Sequence, residues 1–218
     1  MYLSRIALNT KRRETLHALT SLQFIHSAIE NSFDGERKRN LWRIDWYKNK
    51  CYLLVLSVEK GDFSNIVNQF GYTDSEWQWE TKKYDPLLSQ LEKDQIWKFR
   101  LCANPVRSSF KERNKRTDRG RIFAHVTPEQ QKQWLIGKSE SCGFKLEEDG
   151  FDVINTRWIK FYKGKYNHQV ILRAATFEGL LTITDVERFK QSLISGIGRA
   201  KAYGCGLLTI ARPRGESL

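Results

Sequence analysis

The segment from Gly196 to Gly206, with the sequence GIGRAKAYGCG, combines four glycines with two cations. Glycine adopts backbone angles that are closed to other residues, and it leaves no side chain between the chain and a ligand. A loop of this kind brings amide N–H groups and cations up to a phosphate. The residues expected to contact the phosphate-bearing ligand are Gly196, Gly198, Arg199, Lys201, Gly204 and Gly206.

A second segment, from Lys98 to Arg121, carries nine basic and two acidic residues. The part after Pro105 has few apolar residues and many turn-forming residues, which predicts a protruding loop or ribbon. Arginine side chains match phosphate oxygens and base edges, so this segment indicates contact with nucleic acid. The alternative is a solvated run of charges that binds nothing.

His26 is the residue that suits acid–base chemistry, because an unperturbed imidazole titrates near neutral pH. It lies at the border of an apolar helical stripe, and that position alone favours a hydrogen-bonded structural histidine over a catalytic one. The other histidines have no informative neighbours. No Ser/His/Asp arrangement, carboxylate pair, Cys/His zinc spacing or acidic magnesium cluster occurs in the sequence, so we expect no metal or other cofactor.

The charge of the whole chain agrees with a polyanionic partner. Its 218 residues carry a net charge of +12, and the sequence pI is about 9.6. A protein this basic usually binds nucleic acid or an anionic membrane. The alternative is that its cationic surface serves only solubility. The four cysteines are well separated, which predicts free thiols in a reducing compartment. The N-terminus is too polar for a signal peptide, and no apolar run approaches the ~20 residues of a membrane span, so we expect a cytoplasmic protein without a membrane partner.

Apolar spacing in the N-terminal half predicts strand, helix, strand, strand, helix, strand. The first helix is expected to begin at about Lys11 and to end before Gly35, because Ala18, Leu22 and Ile25 recur at helical spacing. We expect the four strands over 2–8, 41–47, 51–58 and 77–82, and the second helix over 63–70.

The C-terminal half predicts the same order again. Thr127, Pro128 and Gln130 form the signature of a capped helix start, and Asp185 caps a last helix that Gly196 stops. The predicted fold class is therefore α+β, with two tandem ferredoxin-like βαββαβ domains, each an antiparallel sheet with helices on one face. The predicted boundaries are an N-terminal domain over 1–84, a linker over 85–96 and a C-terminal domain over 97–218.

Several segments together resemble one known family over essentially the whole chain. They are MYLS at 1–4, His26 with its helix, FRLCANP at 99–105, TFEGLLTI at 176–183 and GIGRAKAYGCGLL at 196–208. With these residues the chain resembles the CRISPR RNA-processing endoribonucleases of type I-E systems, the CasE family of the repeat-associated (RAMP) superfamily. The last segment is the most specific of the five.

The resemblance implies a function as well as two ferredoxin-like domains. It implies metal-independent cleavage of CRISPR repeat RNA at the 3′ base of its stem-loop, by attack of a ribose 2′-hydroxyl that leaves a 2′,3′-cyclic phosphate and a 5′-hydroxyl. His26 occupies the place of the family's acid–base histidine on the first helix. The mature crRNA is expected to stay bound, so that the partners are this RNA and the other Cascade subunits, with no small-molecule cofactor.

One position departs from the family pattern. Family members carry tyrosine three residues before the histidine, and this chain has Gln23, which can hydrogen-bond a phosphate or ribose but cannot exchange a proton at neutral pH. Because of Gln23, a non-catalytic subunit that binds an RNA hairpin is an alternative function. A basic ribosome-associated protein is a third hypothesis. The resemblance places these residues at the RNA: Arg107, Lys111, Arg113, Lys115, Arg116, Arg119 and Arg121, with Arg157 and Lys160 as secondary candidates.

Overall fold

Each half of the chain forms an antiparallel sheet with helices packed on it in the computed structural model, which describes residues 1–35, 38–74, 78–109, 120–163 and 168–213. In both sheets the four main strands lie in the spatial order 4-1-3-2 of their half, the order that a βαββαβ unit produces. The predicted α+β class with two ferredoxin-like units is confirmed.

The N-terminal sheet has the strand order β2-β3-β1-β4, and all its pairs are antiparallel. Trp42 and Leu53 are fully buried where this sheet meets the helices. The elements are β1 (Tyr2–Leu8), α1 (Arg13–Thr20), α2 (Gln23–Glu30), β2 (Leu41–Tyr47), β3 (Lys50–Ser57), α3 (Ser64–Phe70) and β4 (Trp79–Lys83).

The prediction of one continuous first helix was wrong, because the structure has two short helices there. Ser21 leaves the helical region with φ −125° and ψ 81°, and the Thr20 hydroxyl donates to the His17 carbonyl at 2.8 Å, which ends α1. The chain restarts as α2 at Gln23. His26 therefore lies on the second helix rather than on the first.

The C-terminal sheet has the order β11-β5-β10, and β10 pairs along its other edge with both β9 and β8. A separate two-stranded ribbon, β6–β7, leaves this sheet after β5. The elements are α4 (Asp85–Ser89), β5 (Ile96–Ala103), β6 (Val106–Ser109), β7 (Arg121–Ala124), α5 (Pro128–Ser139), β8 (Phe144–Lys145), β9 (Phe151–Lys163), β10 (His168–Ile183), α6 (Val186–Ser195) and β11 (Leu208–Ala211).

The helix starts in the C-terminal half follow their sequence signals. The Thr127 side chain accepts from the Gln130 backbone N–H, and the Gln130 side chain accepts from the Thr127 backbone N–H, so the predicted capping box is confirmed. Asp185 accepts from the Arg188 backbone N–H and caps α6. No helix in the described part of the chain is both long and apolar enough to cross a membrane.

The two sheets share their apolar packing. Leu41 and Leu56 of the N-terminal half pack in one cluster with Trp97 of β5, and Cys102 of β5 packs in the cluster of the N-terminal half. The short helix α4 occupies part of the segment 85–96, which was expected to be a linker. The domain boundaries at 84 and 97 stay a prediction.

A buried arginine joins the two sheets with polar contacts. Arg43 of β2 is only 2% exposed, and its guanidinium makes two hydrogen bonds of 2.7 Å to the Asp45 carboxylate. It also donates to the carbonyls of Arg100 in β5 and Leu207 before β11, both at 2.8 Å. The paired charge and the satisfied donors fix the position of β2 against the end of the glycine-rich segment 196–206.

Candidate active site

His26 sits at the edge of the apolar face of α2, as its sequence position predicted. Ile25 and Ile29 point into the core and are fully buried, whereas the His26 side chain keeps 20% of its surface exposed. Its Nδ1 lies 3.9 Å from Oε1 of Glu30, one helical turn later on the same face. The Glu30 carboxylate is 18% exposed, so this pair is partly shielded from water.

Two adjoining cavities meet at this pair, and both are lined by His26, Glu30, Lys38 and Asn40. The first cavity, of about 590 Å³, extends along α2 to Gln23. Gln23 and His26 therefore face the same space, as their spacing of one helical turn predicted.

The second cavity, of about 610 Å³, extends from His26 to the glycine-rich segment and is lined there by Gly198, Arg199, Ala200 and Lys201. The structure thus brings together the two sequence features that were expected to act on a phosphate, although they come from opposite ends of the chain.

The glycines of the segment 196–206 are needed for the close approach of this loop to β2. Gly204 has φ +76°, and a Cβ atom there would lie 2.9 Å from the Trp42 ring. Gly196 has φ +74°, and its Cβ would lie 2.8 Å from the Leu41 side chain. Larger residues would push the loop away from β2 and from the His26 cavity.

Lys201 and Arg199 make this part of the cavity cationic. The Lys201 ammonium donates to the Ser195 carbonyl at 2.6 Å, which holds the side chain against the end of α6. Burial and the neighbouring Arg39 charge lower the pKa of Lys201 below its ordinary value. Arg199 is exposed beside it. A phosphate entering the cavity would meet an imidazole on one side and these cations on the other.

The predicted basic residues of the 98–121 segment lie in a different place. Arg107 of β6 and Arg121 of β7 lie on the same ribbon, with their guanidinium carbons 5.0 and 5.3 Å from the centre of the Phe123 ring. Neither residue lines the two His26 cavities. The remaining predicted residues of this segment lie outside the described residues: Lys111, Arg113, Lys115, Arg116 and Arg119.

Arg157 and Lys160 of β9, the secondary candidates, lie on opposite faces of their strand, because side chains alternate along a strand. Arg157 shares a face with Ile159, which packs against the N-terminal half. Lys160 is exposed on the other face, between Trp158 and Tyr162. The structure therefore does not bring these two cations together.

The described residues contain no group of three or more histidine, cysteine, aspartate or glutamate side chains that could hold a metal ion. The polar groups of the His26 cavities are instead an imidazole, the carboxylates of Glu30 and Glu59, a hydroxyl, amides and cations. That set can move a proton and neutralise the charge of a phosphate.

Comparison with known proteins decides the family. A family model described as CRISPR associated protein matches residues 1–212. The chain belongs to the CRISPR-associated protein family. The CRISPR-associated endoribonuclease Cse3 of Thermus thermophilus is 27% identical over 225 residues, covering 97% of this chain and 100% of the relative. The Cascade subunit CasE of Escherichia coli is 31% identical over 117 residues, covering 52% of this chain and 56% of the relative.

The fold of this CRISPR-associated protein is also that of a solved relative. A structure of the CRISPR endoribonuclease Cse3 bound to a 19-nucleotide RNA superimposes with a TM-score of 0.77 at 25% identity, and it covers 97% of this chain and 100% of that chain. The resemblance to the CasE family is confirmed by these findings.

Sequence reasoning missed several polar residues that line the cavities of this CRISPR-associated protein, among them Glu30, Lys38, Arg39 and Asn40. Glu30 carries a detectable signal, since it lies four residues after His26 on a helix. Lys38 and Arg39 belong to a charged run that follows Gly35 in the sequence, and neither they nor Asn40 were assigned a role. No local pattern places them beside His26, because the cavity that they share includes Lys201 from the far end of the chain.

Proposed function

We propose that this chain is a metal-independent endoribonuclease of CRISPR repeat RNA. It binds the stem-loop of the repeat, cuts once at the 3′ base of the stem and keeps the mature crRNA as a subunit of Cascade in the cytoplasm. The observation that carries the proposal is the cavity that His26 shares with the glycine-rich segment, in a chain that matches the endoribonuclease Cse3 over 97% of its length.

The reaction that this cavity suits is an internal transfer of a phosphodiester. The 2′-oxygen before the scissile phosphate attacks phosphorus and loses its proton, while the bond from phosphorus to the 5′-oxygen breaks and that oxygen gains a proton. The products are a 2′,3′-cyclic phosphate and a 5′-hydroxyl, so atoms and charges balance without a metal or water. His26 is the group that moves a proton, because imidazole both accepts and donates protons near neutral pH.

Glu30 is a positioning residue in this proposal. A carboxylate beside Nδ1 holds the imidazole ring in one orientation and favours a proton on that nitrogen. The other ring nitrogen, Nε2, is then the atom that faces the RNA. Glu30 touches no reacting atom itself.

The cations of the cavity stabilise the negative charge that grows on the phosphoryl oxygens during attack. Lys201 and Arg199 approach from the glycine-rich segment, and Lys38 and Arg39 approach from the segment before β2. Fixed cations aimed at developing charge are among the strongest contributions to catalysis. Gln23 hydrogen-bonds the RNA from the adjoining cavity and does not exchange a proton.

The competing proposal is a subunit that binds the hairpin without cutting it, and Gln23 is the residue that favours it. The test incubates the wild-type protein with its cognate repeat RNA in EDTA, in parallel with the same RNA carrying a 2′-deoxy nucleotide before the scissile phosphate. We expect cleavage of the all-ribose RNA to a 2′,3′-cyclic phosphate and no cleavage of the 2′-deoxy RNA. Tight binding of both RNAs without any product would favour the competing proposal.

A further inference from the structure

The β9–β10 hairpin presents exposed aromatic side chains on one face. Trp158, Lys160 and Tyr162 alternate along β9 and therefore share this face. Trp158 is 47% exposed and Tyr162 is 56% exposed, so both rings are open to solvent. Ile171, 49% exposed, lies opposite Lys160 on β10. Exposed apolar side chains that lie together on one face mark a site of contact with a partner.

Arg173 connects this face to the β6–β7 ribbon through a ring contact and hydrogen bonds. It lies opposite Trp158 in the register of β9 and β10, with its guanidinium carbon 5.3 Å from the centre of the Trp158 ring. Its Nη2 donates to the Thr156 hydroxyl at 2.7 Å and to the Val126 carbonyl at 3.3 Å. Val126 lies two residues after the end of β7, so this hydrogen bond connects the aromatic face to the ribbon that carries Arg107 and Arg121.

The charge of the face identifies the class of its partner. The six side chains at its paired positions include two cations and no carboxylate: Trp158, Lys160, Tyr162, Gln169, Ile171 and Arg173. Flat rings interleaved with cations suit a polyanion that itself carries flat rings. Proteins bind single-stranded nucleic acid in this way, by stacking bases on aromatic side chains while cations contact the phosphates.

We propose that Trp158 and Tyr162 form a stacking platform for unpaired bases of the RNA, with Lys160 between them on the phosphate backbone. This inference rests on the proposed function, because the RNA that stacks on the platform is the same RNA that the ribbon and the His26 cavity bind. It is separate from that cavity, since none of its residues lines it. The stem of the RNA has no free base faces, so the platform recognises nucleotides outside the stem.

The test measures RNA affinity for Trp158→Ala and Tyr162→Ala with two RNAs. The first is the repeat hairpin with its loop and single-stranded flanks, carrying the 2′-deoxy substitution that blocks cleavage. The second is a blunt duplex of the same stem made from two strands. We expect each variant to lose about tenfold in affinity for the hairpin, the range of one stacked base, and to bind the blunt duplex as the wild type does. Trp158→Phe should keep most of the affinity.

Trp46→Ala and Tyr47→Ala are the matched controls, because these residues of β2 are 53% and 59% exposed. They line a cavity with the opposite end of the β9–β10 hairpin, which includes neither Trp158 nor Tyr162. Thermal unfolding of every variant checks that the fold is kept. Wild-type affinity of Trp158→Ala for the hairpin would overturn the platform, and so would an equal loss on the blunt duplex. Unchanged RNA affinity with weakened assembly of the ribonucleoprotein would assign the face to a protein instead. A failure of the proposed function is seen separately, as absence of product from the all-ribose RNA.

Discussion

The His26 cavity and the β6–β7 ribbon differ in how they are built. The cavity joins α2 of the N-terminal half to the glycine-rich segment near the C-terminus, and its polar groups are partly shielded. The ribbon consists of two short strands that pair with each other, and its described arginines lie outside the cavity. The cavity groups its polar side chains around one space, whereas the ribbon exposes Arg107 and Arg121 to solvent.

We expect the cavity and the ribbon to control different properties of the reaction. Fixed groups around a reacting atom change the rate of a bound complex, because they act on the charge and protons of the transition state. Exposed cations on a ribbon change affinity and its dependence on salt. Variants in the cavity should therefore change the cleavage rate with little change in binding, and variants in the ribbon should do the reverse.

The largest effect is expected from His26→Ala. The single-turnover rate of cleavage, measured with repeat RNA that is saturated with protein, should fall by about 10²-fold to 10⁴-fold. This is the usual contribution of general acid–base catalysis, and the dissociation constant of the RNA should change little. His17→Ala is the matched control, since His17 is an exposed histidine on the neighbouring helix α1. An unchanged rate for His26→Ala would remove the histidine from the mechanism.

Lys201→Met should lower the single-turnover rate by about 10²-fold, because it removes a cation that lines the His26 cavity. The pH dependence gives a sharper test. Burial and Arg39 lower the pKa of Lys201, so its ammonium loses the proton at a lower pH than an ordinary lysine does. Arginine keeps its charge over that range. The ratio of the Lys201→Arg rate to the wild-type rate should therefore rise as pH rises.

The control for this ratio is Lys190→Arg, an equivalent change on α6 at a lysine that pairs with Glu187. Its ratio to the wild-type rate should stay flat with pH. A flat ratio for Lys201→Arg as well would mean that the charge of Lys201 does not act on the reaction.

Glu30→Gln should lower the rate by about 10-fold to 100-fold, as the loss of a partner that orients a catalytic group does. The dissociation constant for the RNA should change little, because Glu30 acts on the orientation of the imidazole and does not contact a reacting atom. Lys38, Arg39, Arg199 and Lys201 face the same cavity and are kept in this variant.

Glu14→Gln, an exposed change on α1, is the control for Glu30→Gln. A positioning role lowers the cleavage rate of a variant that keeps its thermal stability. A loss of thermal stability with an unchanged rate for the folded protein would assign Glu30 a merely structural role.

The smallest effect on rate is expected from the ribbon. Arg107→Ala combined with Arg121→Ala should weaken RNA binding and lower the salt slope of the affinity by about two, one for each lost phosphate contact. Cleavage of saturated RNA should stay near the wild-type rate. Arg188→Ala, an exposed arginine on α6, is the control. An unchanged salt slope of the affinity would show that the ribbon does not contact the RNA.

Much of the fold follows from local patterns in the sequence. The alternation of β1, the hairpin of β2 and β3 and the capping box of α5 are local signals, and the structure confirms them. The break between α1 and α2 was missed, because the buried positions Ala18, Leu22 and Ile25 keep a helical spacing across Ser21. Apolar spacing records which residues are buried and carries no information on the backbone angles of one serine.

The candidate site could be predicted only in parts. The glycine-rich segment and the basic ribbon are visible as composition, since each lies within one stretch of sequence. The cavity was not visible, because His26 and Lys201 meet through tertiary packing that brings the glycines against Trp42. The helix position of His26 favoured a structural role, and the family resemblance was needed to single it out.

The most direct test is a crystal structure of this protein with repeat RNA that carries the 2′-deoxy substitution. We expect the scissile phosphate to lie in the cavity between α2 and the glycine-rich segment. A ring nitrogen of His26 should lie about 2.6–3.2 Å from the 5′-oxygen or close to the position of the missing 2′-hydroxyl, with Lys201 or Arg199 beside a phosphoryl oxygen. A scissile phosphate bound elsewhere, out of reach of His26, would contradict this expectation.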